Sequence, residues 1–349
     1  MFAGKQMKAT LLIILTLLSF ASCKKESVRL STSADEIFWL SNKGADMPVW
    51  VKGNTASKVI ILYLHGGPGN GSYRYTGFQT DQLWSHYAVA YWDQRDAGVA
   101  AGNANYSNLT LDQMIEDLEK LIILLKYRYG SDTEIFLLGH SFGGLLGSGY
   151  LVKDDNQKNI RGWIEVDGAH DYPETNILSR QMLIDTGNSE IAKGNYVSQW
   201  TGIVDYCDSH PPNVSLDISV KTENYASDAE KYVNIDHTTT ALHLFSVSSP
   251  LSFGSNLYKL YYTAAGKQFL QSLEPITFTE ELHKVTIPSL LIWGQYDFTV
   301  PVGSGIHALN NLGSSNKHLV MMPHSGHIPM NGDTKLFTQT VLDFVDAVK

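Results

Sequence analysis

Cysteine is scarce. The chain has 349 residues and two cysteines, Cys23 and Cys207, so no framework of disulfides can hold it together. Paired cysteines and a His-Glu-x-x-His segment are both missing, and His324 and His327, though close, lack the company a metal-ligand set needs. Positive charge is also short. Lys and Arg number 26 against 35 Asp and Glu, a formal net charge of −9. That denies the basic footprint nucleic acid requires, while a mild acidic excess suits solubility or a substrate with a cationic amine. No internal repeat and no long low-complexity tract appears, so the chain is not built as an array. Its one N-terminal apolar run, Thr10 to Phe20, is too short for a comfortable membrane span.

What that run does fit is an export signal. Lys5 and Lys8 precede it and Ala21-Ser22-Cys23 follow, the order of basic, apolar and small residues in a leader. Residues 1–22 therefore read as a signal peptide of lipoprotein type. Cys23 becomes the lipidated first residue, 23–36 a tether, and the exported chain a bacterial membrane-anchored lipoprotein. Phe20 departs from the strictest lipobox, which leaves periplasmic or secreted export as the alternative. Membrane contact is expected only through that anchor.

Beyond residue 36, strand-like and helix-like segments alternate. Residues 37–42 and 48–51 suggest an antiparallel pair about a turn at Lys43-Gly44-Ala45-Asp46. Val59 to Leu64 is a continuous apolar run, as in a strand buried on both faces. Further strands are expected over 87–92, 134–138, 161–168, 288–294 and 317–322. Thr110 with Gln113 marks a capping-box start to a helix reaching about Tyr129 and ended by Gly130. A last helix spans 335–348. Such alternation predicts a mostly parallel sheet.

The chemistry collects at the ends of these strands. Gly139-His140-Ser141-Phe142-Gly143 follows one apolar run and opens a second, the strand–turn–helix setting in which G-x-S-x-G exposes a serine nucleophile. His65-Gly66-Gly67-Pro68-Gly69 follows an early strand, where a backbone N–H can approach a substrate carbonyl with no side chain in the way. The oxyanion donors are assigned to the backbone of Phe142 and Gly67, with Gly66 as fallback. Asp297 lies three residues after Gly294 and His327 lies in the turn-rich segment after 317–322, in the chain order Ser, Asp, His. His327 would take the serine proton and Asp297 would fix its tautomer. His324 is the rival base and Asp167 the rival acid. The chemistry requires no cofactor and no metal.

Three segments resemble the prolyl aminopeptidase (proline iminopeptidase) group of α/β-hydrolases: His65-Gly66-Gly67-Pro68-Gly69, the Asp93-Gln94-Arg95 motif, and Asn108 to Leu118. The likeness covers roughly 49–168 and from 285 on. It implies an α/β-hydrolase fold, a mostly parallel eight-stranded sheet flanked by helices, with its core at 37–169 and 284–349. An inserted, mostly helical cap would occupy 170–283. It also implies cap carboxylates that bind a substrate amine, for which Glu174, Glu190, Glu223 and Glu230 are candidates. Asp167 and His170, at a strand's carboxyl end, are read as substrate contacts. Two departures stand out. Asp93-Gln94-Arg95 continues without the group's first Gly and Ser, and the elbow carries His140 where the group has Gly. The implied activity is a serine aminopeptidase acting on small molecules or short peptides, releasing an N-terminal residue such as proline. An esterase or amidase, and a non-catalytic binding lipoprotein of the same fold, are the alternatives.

Overall fold

Val59–Leu64 shows why an unbroken apolar run forms a central strand. Ile60, Leu62 and Leu64 pack in one buried cluster, and Val59, Ile61 and Tyr63 in another, on the opposite face of the sheet. The computed structural model describes residues 32–72, 80–100, 108–233 and 257–349. Ser33–Lys349 forms one compact unit. The expected leader at 1–22 and Cys23 lie outside the described residues. No described helix is long and apolar enough to cross a membrane.

The sheet has eight strands: β1 (Ala34–Asn42), β2 (Ala45–Gly53), β3 (Val59–Leu64), β4 (Ala88–Trp92), β5 (Glu134–His140), β6 (Gly162–Val166), β7 (Ser289–Gly294) and β8 (Lys317–Met322). Their order is β1-β2-β4-β3-β5-β6-β7-β8. The pairs β1–β2 and β2–β4 are antiparallel, and every other pair is parallel. The leading hairpin is longer than expected. Lys43 (φ 43°) and Gly44 (φ 81°) make a two-residue turn, so Ala45 and Asp46 already pair with Asn42 and Ser41. At its other end β1 takes up residues 34–36 of the expected tether.

Helices cover both faces. The face carrying Ile60 and Leu62 is packed by α2 (Leu111–Tyr129), α3 (Phe142–Val152) and α9 (Val302–Asn311). The other receives α1 (Thr80–His86) and α10 (Thr334–Val348), the latter through Phe337, Val341, Phe344 and Val345. Only half of the expected capping box forms on α2. The Thr110 hydroxyl accepts from Gln113 N, but the Gln113 amide donates to Asp117 at 3.2 Å, and Thr110 N turns to the Asn108 carbonyl. Asp117 needs donors there because it is wholly buried against Arg95.

Between β6 and β7 runs a helical insertion: α4 (Tyr172–Lys193), α5 (Val197–Ser209), α6 (Leu216–Tyr232), α7 (Leu257–Tyr262) and α8 (Ala264–Leu273). Leu183, Trp200, Ile203, Cys207, Ala226 and Ala229 give it a core of its own. Phe298, from the loop after β7, completes that core, and Ser179 Oγ donates to the Phe298 carbonyl at 2.6 Å. The insertion is thereby anchored beside the loop that carries Asp297. Cys207 is part of this packing, its thiol pushed up to about 11 by burial.

Candidate active site

The chain leaves β3 toward β4 on one side and reaches β5 on the other, so the crevice at the carboxyl ends of β3 and β5 is the switch point where open α/β sheets bind ligands. Ser141 stands there. Its backbone sits at φ 55° and ψ −119°, a strained conformation for a residue with a side chain. The turn holds because its neighbours are bare. A Cβ on Gly139 would overlap the Gly143 carbonyl, and one on Gly143 would overlap the Leu64 carbonyl. The strain is held by bonds from Ser141 N to Val166 O (3.0 Å) and to Ser141 O from Gly144 N (2.8 Å) and Ala169 N (3.1 Å).

Three side chains distant in sequence meet at this turn. His327 Nε2 lies 2.9 Å from Ser141 Oγ, and His327 Nδ1 lies 2.8 Å from Asp297 Oδ2. The other Asp297 oxygen accepts from Thr299 N and Val300 N, each at 2.8 Å. Those three bonds keep Asp297 an acceptor and make Nδ1 the protonated nitrogen, which leaves Nε2 to receive the serine proton. Burial pulls the imidazole's proton affinity down, but Asp297, Glu230 and Glu223 outweigh it and the net shift is upward. His324 is elsewhere, exposed and bonded to Asp333.

Two residues outside the expected triad hold His327 in place. His140 Nε2 donates to the His327 carbonyl at 2.7 Å, and burial pulls that ring down to about 3, so it stays neutral. Glu230, on α6, accepts from His327 N at 3.0 Å. Glu230 had been read only as a candidate for an amine. His140 carried one signal in the sequence, as the residue that departs from the group's elbow.

The Asp93-Gln94-Arg95 segment braces the glycine loop. Asp93 accepts from Ser72 and Val99 N, and Arg95 forms a two-pronged buried pair with Asp117 at 2.7 and 2.8 Å. Gln94 N donates to His65 Nε2 (3.1 Å) and the Gln94 amide to His65 O (3.0 Å). His65 Nδ1 then donates to the Gly66 carbonyl, and burial keeps the ring neutral. Gly67 lines the cavity beside Ser141, while Gly66 packs its backbone against the Ser141 side chain. Phe142 opens α3, so its N–H has no acceptor within the helix. Its ring meets Phe269 of α8 at 6.4 Å.

Ser141 faces two cavities. The inner one, about 80 Å³, is lined by Tyr172, Asn176, Glu223, Tyr261, Glu274 and Val300. The outer one, about 830 Å³, runs past Asn70, Tyr262, Lys267 and Ile328. Glu223 borders both. Enclosure pushes its carboxyl up, His327 opposes this, and Glu274 adds to it. Glu274 accepts from Ser219 Oγ at 2.6 Å and was not foreseen: nothing around it in the sequence marks it. Of the other expected amine binders, Glu190 pairs with Lys193 on the surface and Glu174 bonds His307. Asp167 and His170, read as substrate contacts, are fully buried instead, and neither lines these cavities. Asp167 Oδ1 accepts from Gly294 N (2.8 Å), and His170 Nδ1 pairs with Glu165 (2.8 Å). A larger depression, about 1040 Å³, lies around Lys43, Glu116 and Lys153, and neither Ser141 nor His327 lines it.

Among the described residues, one cluster has the composition of a metal-ligand set: His140, Asp167 and His327. Both His327 nitrogens are already engaged by Ser141 and Asp297, so the cluster belongs to the same relay.

Known proteins resemble this chain in sequence and in fold. A proline iminopeptidase from Saccharolobus solfataricus is 28% identical over 305 residues, covering 85% of this chain and 87% of that protein. A proline iminopeptidase structure from Mycobacterium smegmatis superposes with a TM-score of 0.61 at 14% identity, covering 89% of this chain and 98% of that one. An esterase from Exiguobacterium antarcticum does so at 0.59 and 17%, covering 90% and 100%. At those identities the two structures speak for the fold. The family model described as the alpha/beta hydrolase fold matches residues 59–331. With its sheet order, its strained serine at the switch point and its inserted helices, the chain belongs to the α/β-hydrolase fold family.

Proposed function

We propose that this protein is a serine hydrolase of aminopeptidase type, which releases a small N-terminal residue such as proline from short peptides. Ser141 attacks the carbonyl carbon while His327 Nε2 takes its proton, and Asp297 holds the resulting imidazolium. The negative charge on the carbonyl oxygen is met by the N–H groups of Phe142 and Gly67, the first aided by the positive end of α3. His327 then protonates the leaving amine, and a water activated by the same imidazole clears the acyl group.

The observation that carries the peptide specificity is the inner chamber. It opens on Ser141, it is small, and it presents Glu223 and Glu274 together. Its volume is that of a handful of waters, which suits one small residue. Neighbouring carboxylates repel each other, and a substrate ammonium between them removes that cost. The larger outer cavity suits the departing peptide. The similarity to proline iminopeptidases supports the same reading.

The test compares a proline arylamide bearing a free amine with its N-acetylated twin, with Ser141→Ala as blank. Cleavage of the free-amine compound alone is the expected result. Equal cleavage of both, or of neither, overturns the aminopeptidase reading and points to ester and amide substrates. Export on a leader at 1–22 with Cys23 acylated is part of the proposal, and rests on the basic, apolar and small order of those residues. Incorporation of labelled fatty acid, lost in Cys23→Ser, checks it.

A further inference from the structure

Two aspartates meet beneath His327. Asp297 follows β7 and Asp167 follows β6, neighbouring parallel strands. Asp167 leaves its strand with φ 44°, and the turn carries its side chain to the end of β7, where Oδ1 accepts the Gly294 N–H at 2.8 Å. Its other oxygen, Oδ2, is fully buried and receives no hydrogen bond from the other described residues. The Asp167 side chain meets that of Asp297, and one of its oxygens lies within 4.8 Å of ring nitrogens of His140 and His327.

The two acids are unequally supplied with donors. Asp297 takes three: Thr299 N, Val300 N and His327 Nδ1. Asp167 takes one. Two touching carboxylates in a buried site do not both ionise, and the proton stays on the one with less support for its charge. A proton on Asp167 Oδ2 also provides the partner that this buried atom otherwise lacks.

We infer that Asp167 is a neutral carboxylic acid whose Oδ2–H donates to the Asp297 carboxylate, making it a positioning residue for the acid that holds His327. This rests on the roles proposed above for Ser141, His327 and Asp297. The groups facing Asp167 are Asp297 after β7, Glu230 on α6, His140 at the end of β5 and His327 after β8. Burial and the Asp297 charge push its carboxyl well up, the Gly294 N–H opposes this, and Glu230 adds to it. The pair then carries a single negative charge, matched to one imidazolium. Ionising Asp167 would add a second charge and hold the proton on His327 too tightly for transfer to the leaving group.

Carbon-13 labelling of aspartate carboxyls in the full chain reads this directly, because glutamates stay silent. At neutral pH one aspartate signal is expected at the neutral-acid position, and it disappears in Asp167→Asn. In Asp297→Asn the like charge is gone, so the signal titrates to the carboxylate position at lower pH than in wild type. Asparagine at 167 keeps the donor toward Asp297 and the acceptor for Gly294 N that alanine lacks, so Asp167→Asn hydrolyses substrate faster than Asp167→Ala. It also lacks the alkaline inflection that Asp167 ionisation gives the wild-type pH profile. Absence of a neutral aspartate signal in the wild type overturns the inference. So does a folded Asp167→Asn that loses about a hundredfold or more, since an ionised Asp167 would then be serving His327. The signal needs no turnover, so a protein that cleaves nothing but shows it would sink the hydrolase reading alone.

Discussion

Glu230 accepts a hydrogen bond at 3.0 Å from the backbone N–H of His327. An inserted helix thereby holds the loop that presents the imidazole to Ser141. Burial first, then the Asp297 charge, push the Glu230 carboxyl up to about 7, with His327 and backbone N–H groups opposing. The ordinary glutamate value is 4.5. Below it both folded and unfolded chains hold this proton. Between it and about 7 only the folded chain does, so this residue makes stability fall as pH rises through that window. In Glu230→Gln that contribution vanishes while the amide oxygen still accepts from His327. The urea midpoint of the variant relative to wild type should rise from about pH 5 to about pH 8, and an unchanged offset would refute the assignment.

The acid limb of the hydrolysis profile should lie above the ordinary histidine value of 6.5, because His327 is raised and acts as a base only when neutral. Glu223 contributes to that upward shift. Glu223→Gln should move the limb to lower pH, measured with an organophosphonate probe that carries no amine. A limb that stays put would show that Glu223 does not act on the imidazole.

Gly143 has no room for a side chain beneath the end of β3. Gly143→Ala should lose about 2 to 4 kcal/mol of stability, with organophosphonate labelling of Ser141 abolished. A variant that melts and labels like wild type would contradict the packing of the elbow.

Arg95 and Asp117 form an ion pair with both side chains wholly buried. Arg95→Met strands Asp117 without its cation and should cost about 3 to 5 kcal/mol. Gln94 still holds His65, so the labelling rate of the folded variant should match wild type. Thermal melts together with probe kinetics separate the two effects.

Asp297→Asn leaves an imidazole of similar position but removes the charge that stabilises its protonated form. Turnover should fall by about 10³- to 10⁴-fold, with binding of a substrate analogue retained. A loss below about tenfold would move the role to Asp167.

Local signals in the sequence specified the elements. A continuous apolar run made Val59–Leu64 a strand, and Gly139 and Gly143 marked the bare backbone around Ser141 at φ 55°. The order of Ser141, Asp297 and His327 could be read the same way, since each lies just past a strand. Turn length was less legible: Lys43 adopts a left-handed conformation that its side chain does not advertise, so β1 and β2 ran longer than their apolar residues suggested. What only the tertiary structure decided is which side chains meet. Sheet order brings β5 beside β6 and β6 beside β7, and the fold of α6 delivers Glu230 to His327 across 97 residues of chain. A carboxyl's neighbours depend on contacts between distant segments, and local sequence does not encode them. That is why Glu174 and Glu190 turned to His307 and Lys193, Glu223 and Glu274 share the cavity, and Asp167 lies buried against Asp297.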